Sequence, residues 1–287
     1  MIPLCRVRVV GVLVSTVVLF ACADQSATTA PACAPSPYRS SPPLVIAHAG
    51  GEGLGPANTI LAMQRSMTAG ADVLDADLWM TSDGVIVAHH DRDLSTATNG
   101  TGFIDQHTWS EVSQLDTRPG WKGDPISSRV PPASLREILD AFPGVRVSVE
   151  IKQTSPSMSL ALCEVLRQTK SLSRVYVSSN DDATVYAATA ACPGMTMTTT
   201  DRDVAAMRAA RTSGQHWCAP SPIGQPPYSP DRFNAADVGW SHDHGMAIYT
   251  WTVDDAATLE KLARAGVDGV YTRRPDIARA VFDKLKS

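Results

Sequence analysis

Six ionisable side chains fall where buried strands should carry none: His48, Asp75, Asp77, His90, Glu150 and Lys152. In the run Arg146-Val147-Ser148-Val149-Glu150-Ile151-Lys152, successive side chains point to opposite faces. Val147, Val149 and Ile151 can pack outward, while Ser148, Glu150 and Lys152 share the other face. Asp75 and Asp77 likewise share a face, opposite Leu74, Ala76 and Leu78. An isolated buried carboxylate is costly, so each needs a cation or a donor. Three carboxylates and no thiolate make a hard oxygen site, suited to one divalent cation, Mg²⁺ or Ca²⁺. Two imidazoles can supply the acid and the base of a displacement. Lys152 can hold a phosphate as a point charge. Each residue alone has a duller explanation. A strand Asp can cap a turn, a lone His is more often a satisfied core group, and Glu150 and Lys152 can simply pair. All six facing one volume is harder to explain that way.

The elements that must position these groups alternate from residue 44 onward. Strand patterns fall at Leu44–His48, Val73–Leu78, Val85–His90, Val145–Lys152, Val175–Ser179, Met195–Thr200, His216–Pro220, Ala247–Val253 and Val267–Thr272. Helical patterns fall near 57–69, 134–142, 157–169, 182–191, 201–212, 231–244 and 254–265. Alternation implies a parallel sheet covered by helices, and eight or nine strands without a GxGxxG turn favour a closed (β/α)₈ barrel. The barrel is expected to be distorted. Only Met80 to Gly84 separates the second and third strands, too few residues for a parallel crossover, so these form a hairpin turning at Ser82-Asp83-Gly84. Centred on Ser82 and Asp83, the turn predicts Met80 facing Val85, Asp77 facing Ala88 and Asp75 facing His90. The weakly periodic stretch 92–132 then reads as an insertion over the barrel mouth.

With 44% apolar and 19% charged residues, the chain can build a real core, and 287 residues suit one barrel. A formal charge of −4 and no long basic run argue against nucleic acid as a partner. Arg6 and Arg8 precede an apolar run from Val9 to Ala21, the charged start and apolar middle of an export signal. The run ends in Leu19-Phe20-Ala21-Cys22, which resembles the lipobox of bacterial lipoproteins and implies a diacylglycerol thioether on Cys22. Residues 1–21 thus read as a signal peptide and the Ser-, Thr-, Ala- and Pro-rich 22–43 as a flexible tether. Residues 44–287 read as the barrel. The expected location is the extracytoplasmic side of the cell membrane, held by the lipid anchor. Cys33, Cys163, Cys192 and Cys218 allow three full disulfide pairings, and Cys33, in the tether, could stay outside them.

The same residues fall in ordered motifs: His48-Ala49-Gly50, Pro56-Ala57-Asn58-Thr59, Gly70-Ala71-Asp72-Val73-Leu74-Asp75-Ala76-Asp77-Leu78, Thr81-Ser82-Asp83-Gly84, Val87-Ala88-His89-His90-Asp91 and Glu150-Ile151-Lys152. Trp251-Thr252-Val253-Asp254 and Gly266-Val267-Asp268-Gly269-Val270-Tyr271-Thr272-Arg273-Arg274-Pro275 continue them. The combination resembles the glycerophosphodiester phosphodiesterase family over roughly residues 44–280. The resemblance implies that Asp75, Asp77 and Glu150 hold the metal and that His48 and His90 form the acid–base pair. It also implies that Lys152, Asn58 and Trp251 meet the substrate. The sequence departs from the pattern at Ala49 and Ala57, where Arg and Glu are usual, at Asp75 for Glu, at Asp254 for Asn and at Arg273 for Asp. Losing both partners of an ion pair can be nearly neutral, and the backbone amides of Gly50 and Gly51 are candidates to replace the missing arginine.

The expected activity is metal-dependent hydrolysis of glycerophosphodiesters to glycerol 3-phosphate and an alcohol. A lipid-anchored position also admits lysophospholipids as substrates. Two rivals remain: a glycosidase, which pairs carboxylates in a barrel without a metal, and an inactive barrel serving as a binding lipoprotein.

Overall fold

The structure, a computed structural model, describes residues 31–229 and 234–285. The expected signal peptide and Cys22 lie outside the described residues. Among the described residues, ten strands alternate with helices. The strands are β1 (Leu44–Ala47), β2 (Val73–Met80), β3 (Ile86–Ala88), β4 (Ala133–Ser134), β5 (Arg146–Ile151), β6 (Val175–Ser178), β7 (Thr196–Met197), β8 (Ile223–Gly224), β9 (Ala247–Thr250) and β10 (Gly269–Thr272). The helices are α1 (Ile60–Thr68), α2 (Trp109–Val112), α3 (Leu135–Ala141), α4 (Ser159–Gln168), α5 (Asp182–Ala191), α6 (Asp201–Ser213), α7 (Ala235–Asp243), α8 (Ala256–Ala265) and α9 (Pro275–Lys284). Eight strands run in the order β7-β6-β5-β2-β1-β10-β9-β8 with parallel neighbours. A parallel bridge between Thr198 and Ile223 brings the two ends of the sheet together. The result is the expected distorted (β/α)₈ barrel.

Alternation along the strands builds two cores. Leu74, Ala76, Leu78, Val147, Val149 and Ile151 face outward against the helices. Ile46, Val73, Tyr176, Tyr249 and Tyr271 fill the barrel interior. Polar residues end the helices where backbone groups would be unsatisfied. Ser134 and Glu137 form a capping box at α3, and Asp255 accepts the Thr258 N–H at the start of α8. Two acids clamp neighbouring strands at the opposite end from the site. Asp72 accepts the Val45 N–H at 2.8 Å, and Asp268 accepts that of Ile248 at 2.8 Å. The two Gly-x-Asp motifs are therefore structural.

The sequence-based expectations need three corrections. No strand forms at His216–Pro220. Cys218 is bonded to Cys33, and β8 follows at Ile223. Helix α9, opened by Pro275 at its first turn, was not foreseen. The stretch 92–132, read as an insertion, carries a small core of its own, in which Leu94, Ile104 and Val112 pack on Val87 with Trp79, Trp109 and Leu115. The supposed tether is fastened from Cys33 onward. Ser36 Oγ donates to Pro222 O at 2.6 Å, and Tyr249 Oη donates to Tyr38 O at 2.9 Å. Tyr38 packs against the interior core and carries the Arg146 guanidinium 5.0 Å above its ring.

Candidate active site

The site lies where the barrel strands end, the face on which barrels of this class place their chemistry. His48 follows β1, Asp75 and Asp77 lie in β2, Glu150 lies near the end of β5 and Lys152 just follows it. The register sets Asp75 beside Ser148 and Asp77 beside Glu150, so their side chains share the inward face. His48 Nδ1 is 3.2 Å from Asp75 Oδ2, which also accepts the Ala49 N–H at 3.1 Å. The chain reaches that position by turning left-handed at Ala49, whose φ is 47°. Asn58 grips Asp77 from both sides. Its Nδ2 donates to Asp77 Oδ2 at 2.9 Å, and its Oδ1 accepts the Asp77 N–H at 3.0 Å. Lys152 Nζ stands 3.1 Å from Asp77 Oδ1 and 2.9 Å from Glu150 Oε2. The contact to Asp77 is an ion pair without hydrogen-bond geometry, since Oδ1 has no hydrogen-bond partner. Asn180 Nδ2 donates to Glu150 Oε1 at 3.0 Å.

Electrostatics follow from this crowding. Burial opposes charge on His48, but its hydrogen bond to Asp75 and the nearby Asp77 and Glu52 charges prevail, raising its pKa to about 9. Burial, with the Asp77 and Asp75 charges adding to it, raises Glu150 despite Lys152. Burial also works against the Lys152 charge, and Asp77 and Glu150 overcome it to raise the pKa. Beneath these groups, Tyr271 Oη meets Ser148 Oγ at 3.0 Å and Tyr176 Oη at 3.2 Å, and it accepts from Gln225. Gln225 O in turn accepts from Trp251 Nε1 at 2.8 Å.

The structure thus gathers His48, Asp75, Asp77, Glu150 and Lys152, but it changes three expectations. First, the hairpin register differs by one residue: Met80 pairs with Ile86, Trp79 with Val87 and Leu78 with Ala88. The turn spans Thr81 to Val85, held by Thr81 N–H on Val85 O and Gly84 N–H on Thr81 O. A one-residue slip exchanges faces, so His89 lies opposite Asp77, its N–H donating to Asp77 O at 2.9 Å. His89 is buried, while the His90 side chain is 58% exposed and bonds the neighbouring Asp91 carboxylate at 2.9 Å. Second, Asn58 is committed to Asp77 rather than open to a ligand. Third, the Gly51 N–H is taken by His48 O at 2.8 Å and cannot stand in for the arginine whose place Ala49 takes. Trp251 is half exposed, just past the end of β9. Sequence reading missed His89, Asn180, Gln225 and Tyr271. Of these His89 was within reach, because it sits in a quoted motif and only the register hid it.

Asp75, Asp77 and Glu150 offer the oxygen donors that a hard divalent cation takes. The buried Asp77 Oδ1, met only by the Lys152 ammonium, and the surplus of negative charge over Lys152 fit such an ion. The three carboxylates are not drawn into a ring. Among the described residues, the one group of three potential ligand atoms within 4.8 Å of one another is Cys33, His216 and Cys218, whose two sulfurs are joined in a disulfide. Lys152 holds the position between Asp77 and Glu150.

Residues 48–277 match the model of the Glycerophosphoryl diester phosphodiesterase family. A glycerophosphodiester phosphodiesterase of Bacillus subtilis (strain 168) is 26% identical over 260 residues, covering 85% of this chain and 86% of the relative. One from Caldanaerobacter subterraneus subsp. tengcongensis is 28% identical over 248 residues, covering 81% and 95%. Among solved structures, a glycerophosphodiester phosphodiesterase from Agrobacterium tumefaciens superposes with a TM-score of 0.71 at 22% identity, over 84% of this chain and 99% of its own. An Oleispira antarctica phosphodiesterase, solved with the product sn-glycerol-3-phosphate, gives 0.68 at 22% identity, over 84% and 97%.

Proposed function

Because the chain belongs to the glycerophosphoryl diester phosphodiesterase family, we propose that it hydrolyses glycerophosphodiesters to glycerol 3-phosphate and an alcohol. The observation that carries this reading is the linked cluster of His48, Asp75, Asp77, Lys152 and Glu150 at the open end of the barrel. The product bound by the Oleispira relative is the one expected here.

His48, kept protonated by Asp75, is placed to give its proton to the leaving alcohol oxygen as the phosphorus–oxygen bond breaks. His90, exposed and bonded to Asp91, serves as the base for the attacking oxygen only after its side chain turns toward the cluster. Asn58 fixes the orientation of Asp77. Lys152 keeps positive charge at the mouth, where a phosphate would arrive. Trp251 offers a half-exposed indole as a wall for the substrate. A divalent cation on Asp75, Asp77 and Glu150 would neutralise charge that develops on a phosphoryl oxygen. The export and lipid anchoring read from residues 1–22 belong to this proposal, and a labelled fatty acid found on Cys22 is their check.

The decisive experiment is hydrolysis of glycerophosphocholine by the purified chain, with and without chelator and in His48→Ala and Asp77→Asn. Loss of roughly 10²–10⁴-fold in His48→Ala is expected for an acid–base group. Undiminished rates in both variants and in chelator would reject the scheme. Running lysophosphatidylcholine in parallel decides between soluble and lipid substrates.

A further inference from the structure

Among the described residues, three buried side-chain polar atoms lack a hydrogen-bond partner: Asp77 Oδ1, His89 Nε2 and Ser221 Oγ. Two of these three belong to residues that face each other across the β2–β3 hairpin. His89 N–H donates to Asp77 O at 2.9 Å, and both side chains lie on the same face of the ladder. Residues directly opposite in such a pair hold their Cβ atoms about 5 Å apart. The imidazole cannot rotate to find a donor. Its Nδ1 is 2.7 Å from Asp91 O, and a carbonyl only accepts, so Nδ1 carries the hydrogen. In the neutral ring, Nε2 therefore presents its lone pair. Asp77 Oδ1 is also an acceptor, held at present by the Lys152 ammonium at 3.1 Å. A buried acceptor without a donor is costly, and the neutral His89 ring has no proton on Nε2 to give the Asp77 carboxylate. A divalent cation displacing Lys152 from Asp77 Oδ1 would satisfy Nε2 as well. An imidazole that donates one ring N–H to a backbone carbonyl and leaves the other nitrogen bare is in the usual arrangement of a metal-ligating histidine.

We propose that His89 Nε2 is a nitrogen ligand of the divalent site built on Asp77. This deepens the metal reading above and rests on it. A mixed nitrogen and oxygen donor set shifts preference away from Ca²⁺ and Mg²⁺ toward first-row transition ions such as Mn²⁺ or Co²⁺.

The test uses the purified full chain, stripped of metal, with Mn²⁺ and Ca²⁺ titrated separately by calorimetry. The unmodified chain is expected to bind Mn²⁺ more tightly. His89→Phe should lose at least roughly tenfold in Mn²⁺ affinity while its Ca²⁺ affinity changes little. Pulsed electron paramagnetic resonance of the Mn²⁺-loaded unmodified chain gives a readout that does not depend on that variant folding. Directly bound ¹⁴N is expected, and it should persist in His48→Ala and in His90→Ala. An all-oxygen signal, or equal Mn²⁺ affinity in His89→Phe, overturns the assignment and leaves the metal reading standing. Failure of the unmodified chain to bind either ion overturns both.

Discussion

At the residue scale, the site is a set of acids each held by a specific donor. His48 owes its character to Asp75, and its behaviour with pH follows. Its folded pKa of about 9 lies above the ordinary 6.5. The charged pair with Asp75 therefore stabilises the fold fully below pH 6.5, and that contribution fades as pH rises through about 9. In the metal-free chain, an NMR titration of the His48 ring should find its midpoint near 9, and a midpoint at 6.5 would contradict the 3.2 Å contact. Asn58 is the second case. It adopts a left-handed φ of 59°, which Gly also tolerates. Asn58→Gly should keep the backbone turn yet lose both bonds to Asp77. About 2–3 kcal/mol of stability is at stake, since a buried bond to a charged group is worth roughly that much. Urea unfolding of Asn58→Gly measures this, and hydrolysis should fall with it because Asp77 is no longer oriented.

At the scale of elements, the β2–β3 hairpin decides which histidine meets the acids. Its turn is tied to the insertion, because Asp83 accepts both the Thr81 hydroxyl at 2.6 Å and the Trp109 N–H at 2.9 Å. The insertion has its own clasp in Asp116. That carboxylate takes the Arg118 guanidinium at 2.7 Å and the Val130 N–H at 3.2 Å. The Arg118 side chain, with the backbone N–H groups of Arg118 and Val130 adding, lowers the Asp116 pKa to about 2 from 3.8. A depressed folded value gives stability that is present above pH 3.8 and lost as pH falls toward 2. Limited proteolysis should therefore cut within 92–132 first in strong acid. Asp116→Asn should bring the same cleavage pattern to neutral pH, with the barrel intact.

At the scale of the whole molecule, the two disulfides among the described residues brace the barrel at different ranges. Cys33 and Cys218 are 185 residues apart in sequence, Cys163 and Cys192 only 29. Loop-closure entropy ranks the long link higher, at about 5 kcal/mol against roughly 3.5 kcal/mol for the short one. Denaturant midpoints should fall further in Cys33→Ser/Cys218→Ser than in Cys163→Ser/Cys192→Ser. The long link also pins the segment carrying Ser36 and Tyr38 against the interior core. Its removal should raise hydrogen exchange there while leaving the carboxylate cluster protected. Equal midpoints in the two double variants would show that chain entropy is not the dominant effect.

The alternation of apolar runs and helical patterns was enough to establish the barrel, because a chain of that periodicity can bury its strands in few other ways. The inward placement of Asp75, Asp77, Ser148 and Glu150 was legible for the same reason: a two-residue period leaves one choice of face once Val147, Val149 and Ile151 are assigned outward. The segment from Cys33 was misjudged by composition, because a few residues, Cys33 and Tyr38 among them, order it through partners distant in sequence. Disulfide pairing and the commitment of Asn58 to Asp77 likewise needed three-dimensional proximity. The hairpin register was decided by the hydrogen bonds of a five-residue turn, which no hydrophobic pattern encodes. That single residue of slip set His89, rather than His90, against Asp77.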